Sequence, residues 1–401
     1  MAAEALRVLC LDIEGGYGGS SRSLYESLKH IDRTAIAPEV WCARQGPIQP
    51  RYAALDIPSR AIADMPRHSS LPRFSRNLLA IAKYWRDWRR AAGFRQALAA
   101  AAKRFDLVHL NHESLHGLGL WLRGLPQRPA IGMHVRTMLM PGPFARWQSR
   151  RMATGCDGLV FITENEQASF HAHLGHASDR AEQVIYNIAE PMPMAAPHAA
   201  IPRDGRLVIA CLSNYAWVRG VDRVVDVARA LKAQGRRDVL FVLAGTMALP
   251  QSLPGALGET ARAGGDLAAY AAHMGVADMM LFPGHVSEPE AVLAGSDLLI
   301  KPTREDNPWG RDIIEAMAAG RPVLSVGRYD RFVEDGVTGI LQPHFDADAL
   351  AMRIAALADD RAAIAGMGEV ARKRVRQLCD GKARAADLQA FWQRIVEQRH
   401  V

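Results

Sequence analysis

Residues 301–324, KPTREDNPWGRDIIEAMAAGRPVL, gather the strongest set of side chains with chemical potential in this 401-residue sequence. An apolar run at 298–301 leads into a polar loop. A helix is expected from near Gly310 to Gly320, whose glycine suits a C-cap, and an apolar strand follows. Glu315 falls inside that helix among Ile314, Ala316 and Met317. A carboxylate in such surroundings is costly unless paired. Two hydroxyls of a ribose would satisfy it, and so would an ion pair with Arg311, four residues earlier on the same helix face.

Three weaker groups accompany it. Arg219-Gly220 opens a helical stretch through Asp222, and a cation beside free helix amides suits a phosphate. Glu14-Gly-Gly-Tyr-Gly-Gly-Ser-Ser21 follows the first strand. Gly16, Gly18 and Gly19 in such a turn let backbone amides approach an anion, or serve as a tight structural turn. The spacing is not the G-x-G-x-x-G of a dinucleotide fold, and no acidic residue ends the next strand. Among the histidines, His112 and His134 are expected at strand ends, where they meet a ligand or act as satisfied turn or core residues. Their spacing is not that of a zinc site, and no metal is expected.

The elements that must position these residues alternate. Strands are expected at 7–12, 39–43, 107–110, 130–134, 158–163 and 183–186, then at 207–212, 239–244, 279–282, 298–301, 322–326 and 339–341. Helices between them include 22–30, 75–103, 222–232 and 313–319. Such alternation implies an α/β protein with parallel sheets and right-handed crossovers. The length exceeds that of one growing core. Two doubly wound domains are therefore expected, 1–190 and 205–380, joined by a proline-rich linker at 191–204. Their strand ends would face a shared cleft.

Apolar content of 49% and charged content of 23% suit a soluble globular protein. Five scattered cysteines fit neither a disulfide framework nor a zinc site, so a reducing, cytoplasmic compartment is expected. The N-terminus does not read as a secretion signal. The formal charge of +7 attracts anionic partners without choosing among them. No arginine–aromatic repeat marks a nucleic-acid module, and no nucleic-acid partner is expected. The basic, Trp-rich segment 67–95 suits either an amphipathic helix on an anionic membrane or a surface helix packing Tyr84 and Trp88 inward.

The 301–324 stretch resembles the donor motif of the family 4, or group 1, retaining glycosyltransferases: Glu, seven residues, Glu, then Ala-Met-Ala-x-Gly-x-Pro-Val. Glu315-Ala-Met-Ala-Ala-Gly320-Arg-Pro322-Val323 is similar to its second half. Asp106-Leu-Val-His109, Met133-His134, Ile185-Tyr-Asn187, Val218-Arg-Gly-Val-Asp222, Phe282-Pro-Gly-His-Val286 and Glu334-Asp-Gly-Val-Thr-Gly339 are similar to further family segments in the same order.

The resemblance implies a GT-B fold: two Rossmann-like doubly wound domains facing a central cleft. The N-terminal domain would bind acceptor and the C-terminal domain the nucleotide-sugar, with the terminal helix 381–401 packing back on the N-terminal domain. It implies a cytoplasmic hexosyltransferase of polysaccharide biosynthesis, peripheral at the inner face of the membrane. The donor would be a nucleotide-diphosphate sugar, the acceptor a glycan or lipid-linked hydroxyl, with no cofactor. Arg219 would take the diphosphate, Glu315 the ribose, and Asn307 with His112 the sugar. Gly16, Gly18, Gly19, His134, Gly220, Val286, Trp309, Gly310 and Arg311 would complete the donor contacts. The sequence departs from the pattern at Asn307, where the family has Glu, leaving Glu305 and Asp306 as nearby carboxylates. It departs again at Cys211, where the family has a phosphate-binding Arg that Arg304 or Arg311 would have to replace. These departures motivate one alternative, a degenerate, non-catalytic sugar-nucleotide-binding subunit; another, a GT-B sugar epimerase, keeps the fold and changes the chemistry.

Overall fold

A computed structural model describes residues 4–68, 74–191 and 195–400. Residues 192–194 of the expected linker, and 69–73 of the basic segment, lie outside the described residues. The chain divides into two compact units, Met1–Ile188 with Gly381–Val401, and Ala189–Asp380.

The first unit holds a seven-stranded parallel sheet: β1 (Leu6–Asp12), β2 (Ile36–Cys42), β3 (Ser59–Ala61), β4 (Leu107–Leu110), β5 (Ala130–Val135), β6 (Gly158–Phe161) and β7 (Ala181–Val184). Their spatial order is β3-β2-β1-β4-β5-β6-β7. The second unit holds β8 (Leu207–Leu212), β9 (Val239–Ala244), β10 (Met280–Gly284), β11 (Leu298–Lys301), β12 (Val323–Val326) and β13 (Gly339–Gln342), in the order β10-β9-β8-β11-β12-β13. Both sheets are covered on two faces, so β4, β5, β9 and β12 are buried throughout. That is why they read as largely apolar runs rather than as alternation. The chain order reverses between β1 and β4 and between β8 and β11. In open α/β sheets, ligands bind beyond the carboxyl ends of strands at such points.

Two elements differ from expectation. β3 is a three-residue, largely exposed edge strand that pairs with β2 and has no apolar pattern of its own. The helix expected at 75–103 is two helices, Phe74–Arg90 and Ala92–Ala102. The break falls at buried Ala91, and the Arg95 guanidinium donates to the Trp88 carbonyl beside it.

The terminal helix Gly381–His400 belongs to the first unit. Leu388, Phe391, Trp392 and Ile395 pack with Val8, Leu107 and Val160 in one core cluster. A side chain at Gly158 of β6 would meet Phe391 at 2.6 Å, so this glycine admits the helix against the sheet.

Candidate functional site

In the second unit, β11 lies beside β8 with Leu298 opposite Ile209 and Leu299 opposite Ala210. β11 ends at Lys301, whose Nζ donates to the Trp309 carbonyl at 2.5 Å and to Asp312 Oδ1 at 3.2 Å. This clamp folds the 302–310 loop back over the strand end. Gly310, with φ +156°, then starts the helix Arg311–Ala318 with no side-chain cap. A Cβ there would stand 2.4 Å from Lys301 Nζ. The first-turn amides of this helix therefore lack a capping side chain at the carboxyl edge of the sheet, a ready anion site.

Glu315 is 8% exposed, and Arg311 reaches its Oε1 at 3.2 Å. The ion pair named as the alternative to a ribose is thus present. Trp309, an expected donor contact, turns its ring into the core. It is 4% exposed and stacks on Phe332 with centroids 5.6 Å apart and planes 18° apart. Its carbonyl accepts from the Lys301 ammonium within the loop.

Arg219 is exposed and donates from Nη1 to Ser213 Oγ at 3.0 Å. Gly220 does not open the helix, which begins at Arg223. It closes the Trp217–Arg219 turn in the left-handed region, φ +66°. A Cβ there would lie 2.0 Å from the Pro302 carbonyl oxygen. Close packing of the chain on itself thus accounts for this glycine without a ligand.

Neither suggested replacement for a cation at position 211 is uncommitted. Arg304 holds buried Asp222 with two bonds, at 2.8 and 2.5 Å, and stacks 3.5 Å over Trp217. Arg311 holds Glu315. Asp306 accepts from the Arg328 backbone N–H at 2.7 Å and from its guanidinium at 3.2 Å. Glu305 and Asn307 are half-buried, as is Val286 in the loop after β10. Burial pushes the Glu305 carboxyl up, while Lys301 and Arg219 pull it down.

In the first unit, a Cβ at Gly15 would lie 2.1 Å from the Arg44 carbonyl oxygen and one at Gly16 3.8 Å from Glu14 Oε2, whereas Gly18 and Gly19 have open space beside them. Gly18 leaves the N-terminus of helix Gly19–His30 without a side-chain cap. The turn is held by Tyr17, which donates to buried Glu26 at 3.1 Å and lies under the Arg51 guanidinium at 3.6 Å. It is tied to the end of β4 by Asn111, whose Nδ2 donates to the Ser20 carbonyl at 3.1 Å and Asp12 Oδ1 at 3.2 Å.

Next in the chain, His112 caps a short 3-10 turn. Its Nδ1 accepts the Ser114 N–H at 3.1 Å, which leaves the proton on Nε2, 3.5 Å from Glu113 Oε1. Sequence reasoning missed the network around it. Arg136 donates to the Asn111 carbonyl and side chain and to Asn187, and Glu113 accepts the Arg136 N–H and the Thr137 hydroxyl. In the sequence, Asn111, Glu113, Arg136 and Thr137 closely follow β4 and β5, and Asn187 ends the Ile185-Tyr-Asn187 segment.

His134 does not stand at a strand end. It lies within β5, 4% exposed, with Nδ1 2.6 Å from His109 Nε2. Trp392 donates its indole N–H to His109 Nδ1 at 3.1 Å. That donation directs His109 to donate onward to His134. Burial lowers the His109 pKa to about 3 and depresses that of His134 as well. These are core groups, kept neutral by their surroundings. Among the described residues, no three His, Cys, Asp or Glu gather as metal ligands.

Two family profiles match the chain: one described as "Glycosyl transferases group 1" over residues 206–360, and one described as "Glycosyl transferase 4-like domain" over residues 18–187. The chain is 24% identical over 244 residues to the alpha-D-kanosaminyltransferase of Streptomyces kanamyceticus, covering 57% of this chain and 59% of that one. It is 34% identical over 134 residues to the D-inositol 3-phosphate glycosyltransferase of Streptomyces avermitilis, covering 32% and 28%. It therefore spans less than two thirds of the length of either curated relative. In fold it is similar to HepE of Anabaena in complex with UDP, with a TM-score of 0.74 at 19% identity over 96% of this chain and 99% of that one.

Proposed function

The chain belongs to the group 1 glycosyltransferases, of GT-B fold with two Rossmann-like domains, and on that premise we propose that it moves a sugar from a nucleoside-diphosphate donor to an acceptor hydroxyl. The acceptor class in this reading is a glycan or a lipid-linked sugar, taken by the N-terminal unit, and the anomeric configuration is retained. The acceptor oxygen bonds to the anomeric carbon. The sugar–phosphate bond breaks with its electron pair passing to the diphosphate, and the hydroxyl proton leaves with that diphosphate.

One observation carries the reading: buried Glu315 lies one turn inside a helix whose N-terminus has no side-chain cap, in the unit that matches the group 1 profile. The helix amides and exposed Arg219 suit the diphosphate, since dipole and cation act in the same sense. Glu315, steadied by Arg311, suits two ribose hydroxyls. HepE has been solved with UDP and with UDP-glucose, which favours a nucleotide-sugar as donor class. The protein's part in the reaction is positioning and charge stabilisation of the leaving group.

Thermal shift with UDP-glucose, GDP-mannose and ADP-glucose tests this. One of them raises the melting temperature by mass action, and Glu315→Ala removes both that rise and sugar transfer. Three flat curves for the parent protein overturn the reading. The anomeric proton coupling of the product, read by NMR, tests retention.

A lipid-linked acceptor at a cytoplasmic membrane face fits the helix Phe74–Arg90. Tyr84 and Asn77 are buried, while Leu78, Leu79 and Trp85 are 51%, 72% and 52% exposed among exposed Arg76, Lys83, Arg86, Arg89 and Arg90. Apolar side chains amid cations suit an anionic interface. Flotation with phosphatidylglycerol vesicles is the test, with Leu79→Glu/Trp85→Glu expected to abolish binding. Equal flotation of parent and variant removes this part of the reading.

A further inference from the structure

The loops that follow β11, β12 and β13 line a cavity of about 150 Å³ in the second unit. Its walls carry the guanidiniums of Arg223, Arg304 and Arg328, the His344 imidazole, and the carboxylates of Glu305 and Asp306, with the Phe345 ring beside them. Two of the three guanidiniums are matched by contact. Arg304 pairs with Asp222, and Arg328 pairs with Asp306 at 3.2 Å. Glu305 makes no ion pair within 4 Å among the described residues, and the cations acting on its charge are Lys301 and Arg219.

Arg223 is the exception. It opens the helix Arg223–Ala233 and is half-buried, yet no carboxylate lies within 4 Å of it among the described residues. Its Nη1 donates to the carbonyls of Pro302 and Thr303, at 3.2 and 2.6 Å, and the guanidinium lies 4.5 Å over Phe345. These partners occupy one nitrogen and one face of a group with five N–H donors. Burial and then Arg304 act against its charge, while Asp222 and Asp226 favour it only from further away. A cation held out of water is costly unless an anion meets it. Across the cavity, Arg328 donates to His344 Nε2 at 2.9 Å. The imidazole therefore keeps its hydrogen on Nδ1, a further donor.

We propose that this cavity is an oxyanion site of the phosphate class, separate from the donor's diphosphate site, in which Arg223 and Arg328 bind the phosphate and His344 adds a donor. Guanidiniums meet phosphate oxygens two at a time, and Nε and Nη2 of Arg223 are left for this. Phe345 and Val326, also in the lining, give the carbon body of a phosphate ester an apolar wall. The site goes beyond the donor reading and does not depend on it, since Arg223, Arg328 and His344 have no part in that reading. The simpler role for Arg223 is to tie the 302–303 carbonyls. That role needs Nη1 alone and gives no saturable anion binding.

The experiment is calorimetric titration of the full chain with inorganic phosphate and with glucose 6-phosphate at constant ionic strength. It is run on the parent, Arg223→Gln, the double variant Arg328→Gln/His344→Gln, and the diphosphate-site variant Arg219→Gln, with melting temperatures to confirm folding. One saturable site is expected in the parent and in Arg219→Gln, weakened about tenfold or more in Arg223→Gln and in the double variant. The tighter of the two ligands distinguishes an ester from free phosphate as the source. No saturable binding by either ligand overturns the proposal. So does binding that survives in Arg223→Gln, or binding that is lost in Arg219→Gln, which puts the anion in the diphosphate site instead. Should Arg223→Gln fail to fold, the double variant decides, because it leaves the 302–303 carbonyls tied and keeps the bond from Arg328 N–H to Asp306.

Discussion

Gly220→Ala separates a glycine kept for a ligand from one kept for packing. The backbone at Gly220 has φ +66°, where an L side chain costs about 1–2 kcal/mol. The new Cβ would also lie 2.0 Å from the Pro302 carbonyl oxygen, a backbone atom that cannot swing aside. Relief requires the 302–304 loop to move away from the Trp217–Arg219 turn. That movement breaks the bonds from Arg304 N–H and Thr303 Oγ1 to the Val218 carbonyl, at about 1 kcal/mol each. The sum is roughly 3–4 kcal/mol, or about 8–12 °C in the melting temperature of a unit this size. Gly235→Ala is the control. Its φ is +77° with open space beside it, so it bears only the backbone cost, roughly 3–6 °C. Differential scanning calorimetry of both variants reads the difference. Equal shifts for the two refute the packing argument, and an unshifted Gly220→Ala with lost nucleotide affinity restores the ligand role.

Further outcomes follow from other parts of the molecule. Trp392→Phe leaves the buried Nδ1 of His109 without its donor and should cost about 1–3 kcal/mol in urea unfolding of the first unit; an unchanged midpoint contradicts the hydrogen-bonded chain through His109 and His134. Those two histidines have folded-state pKa values below the ordinary one, so they take up protons on unfolding. Their stabilising contribution is full above about pH 6.5 and falls as pH drops toward the folded values, by about 2 kcal/mol for His109 at pH 5, with His134 acting in the same direction. Urea midpoints at pH 7.5 and 5 check this, and equal midpoints exclude it. Arg311→Ala strips the near-buried Glu315 of its cation and should destabilise the second unit by roughly 3 kcal/mol. A saturating nucleotide donor should recover part of that loss, as read by thermal shift.

The alternating pattern of apolar runs and helical stretches was enough to assign two parallel α/β sheets, because strands covered on both faces are largely apolar and need no partner to be recognised. The Glu315–Arg311 pair was equally legible, being one helical turn apart. The donor-motif resemblance at 315–323 depended on contiguous residues, so it too was read without tertiary contacts. What the sequence could not show depends on residues distant along the chain. His134 looks like a strand-end ligand until Trp392 and His109, 283 residues apart, close over it. Gly220 looks like a phosphate-loop glycine until the Pro302 carbonyl is seen against it. That Trp309, a donor contact by resemblance, stacks on Phe332 is visible only in the fold. Of the four carboxylates between Lys301 and Glu315, only the folded loop distinguishes the three with partners from Glu305. Local periodicity and local pairs are written in neighbouring residues. Burial, close approach and the absence of a partner are properties of what the rest of the chain brings alongside, and tertiary structure alone decides them.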